Sequence, residues 1–408
     1  MNILFINSFD CSATASGGVN RVVYILSRRF MEDFGYGCFL GYFEPQPAVC
    51  EPAPFDGRIH LNARLDEKSF EAFVTGNAID VIQVNFLKKK NLPSLEAMYR
   101  IARRHGIKLL YCLHVAPGFE LVTYSTWDRV KFSFRFHEHP FKELYRWLVT
   151  LSKPLLGRLL YPLIRKKYLL PYQNCDRVVL LSKHYAKDYA AIIGTKDLSK
   201  FSAIGNALTF KDFATEADIR SKRKEVLVVA RLDEFSKRIS LMLKMWKEIE
   251  ARPQLNDWTL TVVGDGEAMN YYRYLEKKLG LQRVTFTGHG QPQAYYRRAS
   301  VFLMTSSAEG WPMVLMEALP MGLATVAFDS FGALLDIIDN GQSGLLVPNN
   351  DRKAFIETLS TLMLDDEARV RLGKNAVAKS HEFEIDPIIS RWRALYSKLL
   401  PASSAQTL

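Results

Sequence analysis

The feature that most constrains this chain is an alternation that starts over halfway along it. Short apolar runs are each followed by an amphipathic stretch of helix length. In the first half the apolar runs are Ile3–Ser8, Ile79–Asn85, Lys108–His114 and Arg177–Ser182, and a helix is expected over Val19–Phe34 and again over Leu95–His105. In the second half the runs are Glu225–Ala230, Trp258–Gly264, Val284–Thr287, Val301–Thr305, Ala324–Phe328 and Gly344–Val347. Helices are expected between them over Ile239–Glu250, Ala268–Leu279 and Pro312–Met321, and after the last over Arg352–Leu364. Strand–helix alternation of this kind builds parallel sheets covered on both faces. The expected fold class is therefore α/β, with two Rossmann-like doubly wound domains facing across a cleft. The joint is placed at Phe201–Asn206, which gives an N-terminal domain 1–205 and a C-terminal domain 206–384. A final helix and tail, 385–408, are expected to pack back on the N-terminal domain. Ligands of such sheets lie beyond the carboxyl ends of the strands.

Charge narrows the function. The formal net charge is +11, and nearly all of it belongs to the first half. Residues 129–168 alone carry ten basic and two acidic side chains, interleaved with Phe132, Phe134, Phe136, Phe141, Tyr145, Trp147, Tyr161 and Tyr168. Basic and aromatic residues in an amphipathic stretch suit an anionic lipid interface; equally, such a stretch is a helical hairpin on the sheet with a solvated basic face. A nucleic-acid-binding or membrane-adaptor protein is the competing class, but it has no use for the paired carboxylates of the near-neutral second half. The five cysteines form no C-x-x-C pair, which fits a reducing compartment and small buried thiols. The N-terminus lacks a basic stretch before its apolar run, so it reads as a first strand and not a leader. No apolar run is long enough to span a bilayer. The expected location is cytoplasmic, with the cytoplasmic face of the membrane as the alternative that the lipid-interface reading of residues 129–168 brings.

The chemistry concentrates in Thr305–Met321. Glu309 ends a loop after a strand, Gly310 admits close backbone approach, and Pro312 suits a helix start. That start offers backbone N–H groups and a positive dipole end to an anion. Glu317 lies one helical stretch further on. Carboxylates repel phosphate, so a pair beside an anion site is suited to accepting from neutral hydroxyls, as on a sugar or a ribose. Arg231 follows a strand, and Lys237 and Arg238 follow a short polar loop; cations there fit a diphosphate. Gly264 and Gly266, in a strand-to-helix turn, form an incomplete dinucleotide glycine pattern. Gly17 and Gly18 occupy a similar turn after the first strand, and Gly288 and His289 another. His114 ends a strand and is positioned to donate to a sugar hydroxyl or to move a proton. For each of these single residues the plain alternative is packing or solvation. No metal-ligand spacing is present, so neither metal nor cofactor is expected.

Taken together, these residues resemble glycosyltransferase family 4, the retaining enzymes of the GT-B fold. Residues 309–319, E-G-W-P-M-V-L-M-E-A-L, are similar to its E-x(7)-E motif. Val178–Lys183, Ile204–Asn206, Glu225–Ser240, Leu260–Gly266 and Gly341–Pro348 are similar to its other segments, in the same order. The resemblance implies a retaining, metal-independent transfer of a sugar from a nucleotide-diphosphate donor, UDP in preference to GDP. The acceptor it implies is a glycan: a lipid-linked precursor or one of a polysaccharide, capsule or lipopolysaccharide. Glu309 would contact the donor sugar, Glu317 the ribose, and Arg231 and Lys237 the diphosphate. The backbone of Trp311, Pro312, Met313 and Val314 would lie beside that diphosphate, with Gly18 over it and His114 toward the sugar. A nucleotide-sugar epimerase of like architecture is the alternative enzyme, disfavoured by the E-x(7)-E segment. The sequence departs from the pattern at Ala230, where glycine is usual, at Gly205 and at Asp336. Arg231 and Lys237 are six apart instead of five, which leaves Arg238 as an alternative holder of the diphosphate.

Overall fold

The computed structural model describes residues 1–10, 18–45, 55–85, 91–119, 161–208 and 210–400. Among the described residues, thirteen strands fall into two all-parallel sheets. The first contains β1 (Asn2–Phe9), β2 (Gly37–Glu44), β3 (Gly57–His60), β4 (Val81–Val84), β5 (Lys108–Leu113), β6 (Arg177–Leu180) and β7 (Phe201–Ala203), in the order β3-β2-β1-β4-β5-β6-β7. The second contains β8 (Arg223–Val229), β9 (Thr259–Val263), β10 (Val284–Gly288), β11 (Ala299–Met304), β12 (Ala324–Asp329) and β13 (Leu345–Pro348), in the order β10-β9-β8-β11-β12-β13. Each order reverses direction once, between β1 and β4 in the first sheet and between β8 and β11 in the second. A doubly wound sheet offers its ligand crevice at that reversal.

The chain separates into two compact units. Among the described residues, the first holds Met1–Gly118, residues 161–207 and the stretch from Ile385 onward; the second holds Phe119 and Leu208–Glu384. In the first unit one sheet face presents Ile3, Phe5, Val81, Leu110 and Cys112 to the helices Gly18–Phe34 and Ile385–Leu399, whose Val23, Leu26, Phe30, Ile389, Trp392 and Tyr396 close the core. In the second unit Val226, Val228, Leu260, Val262, Val301 and Leu303 lie under Ile239–Glu250, Met269–Leu279 and Arg352–Leu364. Alternate strand residues on one face and a broad apolar stripe on each helix produce these cores.

The structure differs from the sequence reading at several elements. Phe201–Ala203, read as part of the joint, is the edge strand β7, paired to β6 through Val178↔Phe201. β2 and β3 had no sequence counterpart: β2 carries two glycines, and β3 is four residues long. The expected helix Pro312–Met321 is shorter, Met313–Ala318, with Pro312 as its extended N-cap, and it stops two residues before Pro320. Three cysteines, Cys38, Cys112 and Cys175, are free and buried; burial pushes the Cys38 and Cys175 thiols up to about 12. Cys11, Cys50, Gly17 and residues 129–160 of the basic segment lie outside the described residues. No described helix is long and apolar enough to cross a membrane.

Candidate active site

The second unit builds a charged cluster where its strand order reverses. Two loops form it, one leaving β8 and one leaving β11. The β8 loop folds back on itself because Asp233 caps the short helix Glu234–Lys237: its carboxylate accepts from the Phe235 N–H at 3.0 Å and from the Ser236 hydroxyl at 2.9 Å. Glu234 then accepts from the Ser240 N–H at 3.0 Å and fixes the start of the following helix. The loops are tied together by the Ser307 N–H donating to the Ser236 carbonyl at 2.7 Å and by the Thr305 hydroxyl donating to the Lys237 carbonyl at 2.7 Å. The result is a rigid mount for Lys237 and Glu309. These two side chains form an ion pair, 16% and 17% exposed, and Ser306 donates to the same Glu309 oxygen at 3.0 Å.

Arg238 performs a different task. It sits at φ 53°, ψ 41°, between one helix and the next. This left-handed conformation, rare for a side chain of this size, turns its guanidinium under the β11 loop. There it donates to the carbonyls of Thr305 (2.6 Å) and Ser306 (3.0 Å) and to the side chains of Asn349 (3.0 Å) and Asn350 (2.8 Å). It also lies over the Phe328 ring at 5.3 Å. Burial pushes its pKa down to about 10, still charged at neutral pH. Five donors in a planar fork can serve all these acceptors, which an ammonium cannot. Arg231, by contrast, has a side chain 77% exposed, 3.6 Å from Asp233.

The glycines of the β9 turn have a structural reason. A Cβ on Gly264, at φ 137°, would lie 1.9 Å from the Ala230 carbonyl oxygen, and one on Gly266 would lie 2.6 Å from that of Leu232. The close approach they permit is to the β8 loop, which they brace from beside. Gly288 is at φ 76° with open space around it and accepts from the Gly264 N–H at 3.0 Å, and His289 is exposed. Trp311 is buried against Phe383, with centroids 5.7 Å apart, and its indole N–H has no partner in the structure. Glu317, half-buried, accepts at 3.0 Å from the hydroxyl of the fully buried Tyr296, which also donates to the Val314 carbonyl at 3.2 Å. The sequence did not single out Tyr296.

In the first unit Gly18 opens the helix Gly18–Phe34, and His114 follows directly on β5. The His114 Nε2 lies 3.5 Å from Asn85 Oδ1, and its Nδ1 is buried without a partner. Burial pushes its pKa down to about 4, so the ring is neutral at pH 7. Asn85 belongs to a buried amide set that the sequence reading passed over, together with Asn7 and Gln83. The clue was present: in V-I-Q-V-N two amides recur at strand period in an otherwise apolar run.

Comparison with known proteins identifies relatives of part of the chain and of its fold. Residues 210–379 match the family "Glycosyl transferases group 1", so the second unit is built on a domain of that class. An exopolysaccharide phosphotransferase of Streptomyces coelicolor is 34% identical over 154 residues, covering 37% of this chain and 16% of that protein. A Campylobacter jejuni N-acetylgalactosaminyltransferase, named for a diphospho-undecaprenol-linked glycan, is 27% identical over 229 residues, covering 56% of this chain and 62% of its own. Each match therefore spans less than two thirds of the relative. Among solved structures, Anabaena HepE in complex with UDP and glucose superimposes with a TM-score of 0.66, covering 98% of this chain and 100% of that one at 17% identity. The chain has the GT-B type of architecture, two parallel-sheet Rossmann-like domains.

Proposed function

We propose that the protein is a glycosyltransferase that moves a sugar, with retention, from a UDP-sugar to a glycan acceptor. The acceptor we favour is a lipid-linked or exopolysaccharide precursor. The observation that carries this reading is the Lys237–Glu309 pair at the reversal of the second sheet. The arrangement puts a cation and a carboxylate acceptor side by side, where a diphosphate and a sugar hydroxyl need opposite partners. Binding of the diphosphate would draw Lys237 to it and release Glu309 to accept from the sugar. Arg231, exposed and near the same loop, is the second cation of the proposal. Glu317 is assigned the ribose, with its orientation set by Tyr296. The matching domain and the names of the relatives support transfer to a polymer precursor; the complex of HepE with UDP and glucose supports the donor.

Thermal-shift measurements with UDP-, GDP- and ADP-sugars test this, because a ligand that binds only the folded state raises its melting temperature. UDP-sugar is expected to give the largest shift. Glu309→Ala is expected to remove the part due to the sugar and keep most of the part due to UDP. Equal loss of both, or no shift with any donor, overturns the assignment.

Peripheral docking on an anionic membrane through residues 129–168 is a further part of the proposal. At the described end of that segment Leu163 is 48% exposed, while Arg165 and Tyr161 are spent on the carbonyls of Ile193 and Ile192. Cosedimentation with phosphatidylglycerol vesicles is expected and should fall when Lys131, Lys142 and Lys153 are reversed in charge. Unchanged cosedimentation refutes the docking.

A further inference from the structure

The buried amides of the first unit form a chain with one direction. Tyr396, on the helix Ile385–Leu399, donates its hydroxyl to Gln83 Oε1 at 2.5 Å. The hydroxyl donates here, and the Gln83 amide stands with its oxygen toward Tyr396 and its nitrogen toward Asn85. Gln83 Nε2 donates to Asn85 Oδ1 at 2.8 Å, and Asn85 Nδ2 donates onward to Asn7 Oδ1 at 3.0 Å and to the Gln83 carbonyl at 3.4 Å. Each amide orientation agrees with the one before it. Asn85 therefore shows an acceptor, not a donor, to the Nε2 of His114 at 3.5 Å. If the chain ran the other way, Asn85 would show its amino group, and Nε2 would have to be the bare nitrogen.

Strand geometry explains why these residues meet. Gln83 in β4 and Asn85 just past its end are two apart, as Cys112 in β5 and His114 just past its end are, so each pair points to the same sheet face. That face is covered by the C-terminal helix, which is how a residue 313 positions from Gln83 reaches it. Asn7, Gln83 and Asn85 are 0–1% exposed. Amides so deeply buried are tolerated only when bonded, and a bonded chain has few alternative arrangements.

We propose that Tyr396, Gln83 and Asn85 are positioning residues that hold His114 as the Nε2–H tautomer and present Nδ1 as an acceptor to a hydroxyl of the bound ligand. The Nδ1 atom is buried and has no protein partner, which is the state expected of an acceptor waiting for a donor. That the hydroxyl belongs to a sugar rests on the glycosyltransferase reading; the tautomer does not. In this arrangement His114 reads a hydrogen-bond donor on the ligand and does not act as an acid toward it, because the only proton on the ring is held toward Asn85.

The test uses the full-length protein labelled with 15N at histidine, near neutral pH and without ligand, with the His114 signals assigned through His114→Gln. The two-bond nitrogen–proton pattern of the ring distinguishes the tautomers. The native protein is expected to show Nε2–H alone. Tyr396→Phe removes the proton that sets the direction, and Asn85→Leu removes the acceptor; each is expected to lose the single tautomer. Asn85→Asp, whose oxygens both accept, is expected to keep it. An Nδ1–H pattern in the native protein, or an unchanged pattern in Tyr396→Phe, overturns the proposal. Should Asn85→Leu fail to fold, Tyr396→Phe, which deletes one oxygen, still decides. A single tautomer without any stabilisation by UDP-sugars would leave the relay standing and remove the donor reading; stabilisation with the wrong tautomer does the reverse.

Discussion

The two sheets reverse their strand order in the same way, yet they furnish the carboxyl ends of their strands with opposite chemistry. The second unit places charge there: Lys237 against Glu309, with Arg238 beneath and Arg231 exposed beside them. The first unit pairs Asp10 with Arg58 at the β2–β3 side of its sheet, but beside the reversal it places neutral polar groups: Asn7, Gln83, Asn85 and an uncharged His114. The difference also lies in how each is held. The charged edge is held by loop-to-loop bonds and by glycines that admit backbone contact, the neutral edge by amides inside the sheet. A diphosphate needs fixed cations; a hydroxyl needs neutral acceptors and donors of set direction.

The comparison is broken most easily at Gly264. If the charged edge depends on backbone contact between the β9 turn and the β8 loop, Gly264→Ala should cost about 3–5 kcal/mol, since it adds a clash to an unfavourable φ. Gly288→Ala, at φ 76° but with open space around it, should cost only about 1–2 kcal/mol. Urea midpoints of the two variants measure this. Equal midpoints would mean that the loop shifts at little cost and that the edge is not braced as described.

A smaller effect separates the two cations that the sequence could not rank. Arg238→Lys should destabilise by about 2 kcal/mol, because an ammonium cannot serve two carbonyls and two asparagine oxygens from one position. Its effect on donor binding should follow from the loosened β11 loop, so it should scale with the loss of stability. Lys237→Met should instead weaken nucleotide binding with little change in melting temperature. A reversed pattern in thermal shift would transfer the diphosphate role to Arg238 and remove Lys237 from the site.

What the sequence made legible follows from range. The alternation of runs predicts both sheets because periodicity is a local property, and Glu309 and Lys237 each stand out because both lie in loops that follow strands, but their mutual ion pair is visible only in the structure. Arg238 was ambiguous, since its left-handed backbone, which decides where its guanidinium goes, leaves no mark in the sequence. Gly264 and Gly266 show in the sequence only as an incomplete glycine pattern; that an added Cβ would meet the Ala230 and Leu232 carbonyls depends on how the β8 loop folds beside them. Tyr396 was invisible as a polar partner because its contact with Gln83 exists only once the C-terminal helix has docked. Gln83 and Asn85 carried a faint signal, two amides at strand period, whose meaning depended on that same helix.

The neutral edge predicts a pH dependence of the same sign as that of an ion-paired acid, but in a higher pH window. Burial holds the His114 ring neutral, with a pKa of about 4 against an ordinary 6.5. In the unfolded chain the ring takes up a proton as pH falls below about 6.5; in the folded protein it resists until about 4. Between those values the unfolded state binds more protons, so stability is complete above the window and declines as pH falls through it, by at most about 1.4 kcal/mol per pH unit from this group. Below pH 4 the contribution is flat. His114→Gln removes the titrating group while keeping a side chain that can donate toward Asn85. Its stability should therefore fall less steeply than that of the native protein between pH 6.5 and 4, as read from urea midpoints at half-unit intervals. Parallel curves would show that the ring protonates freely in the folded state, and the contrast between a charged edge and a neutral one would then hold only above that pH.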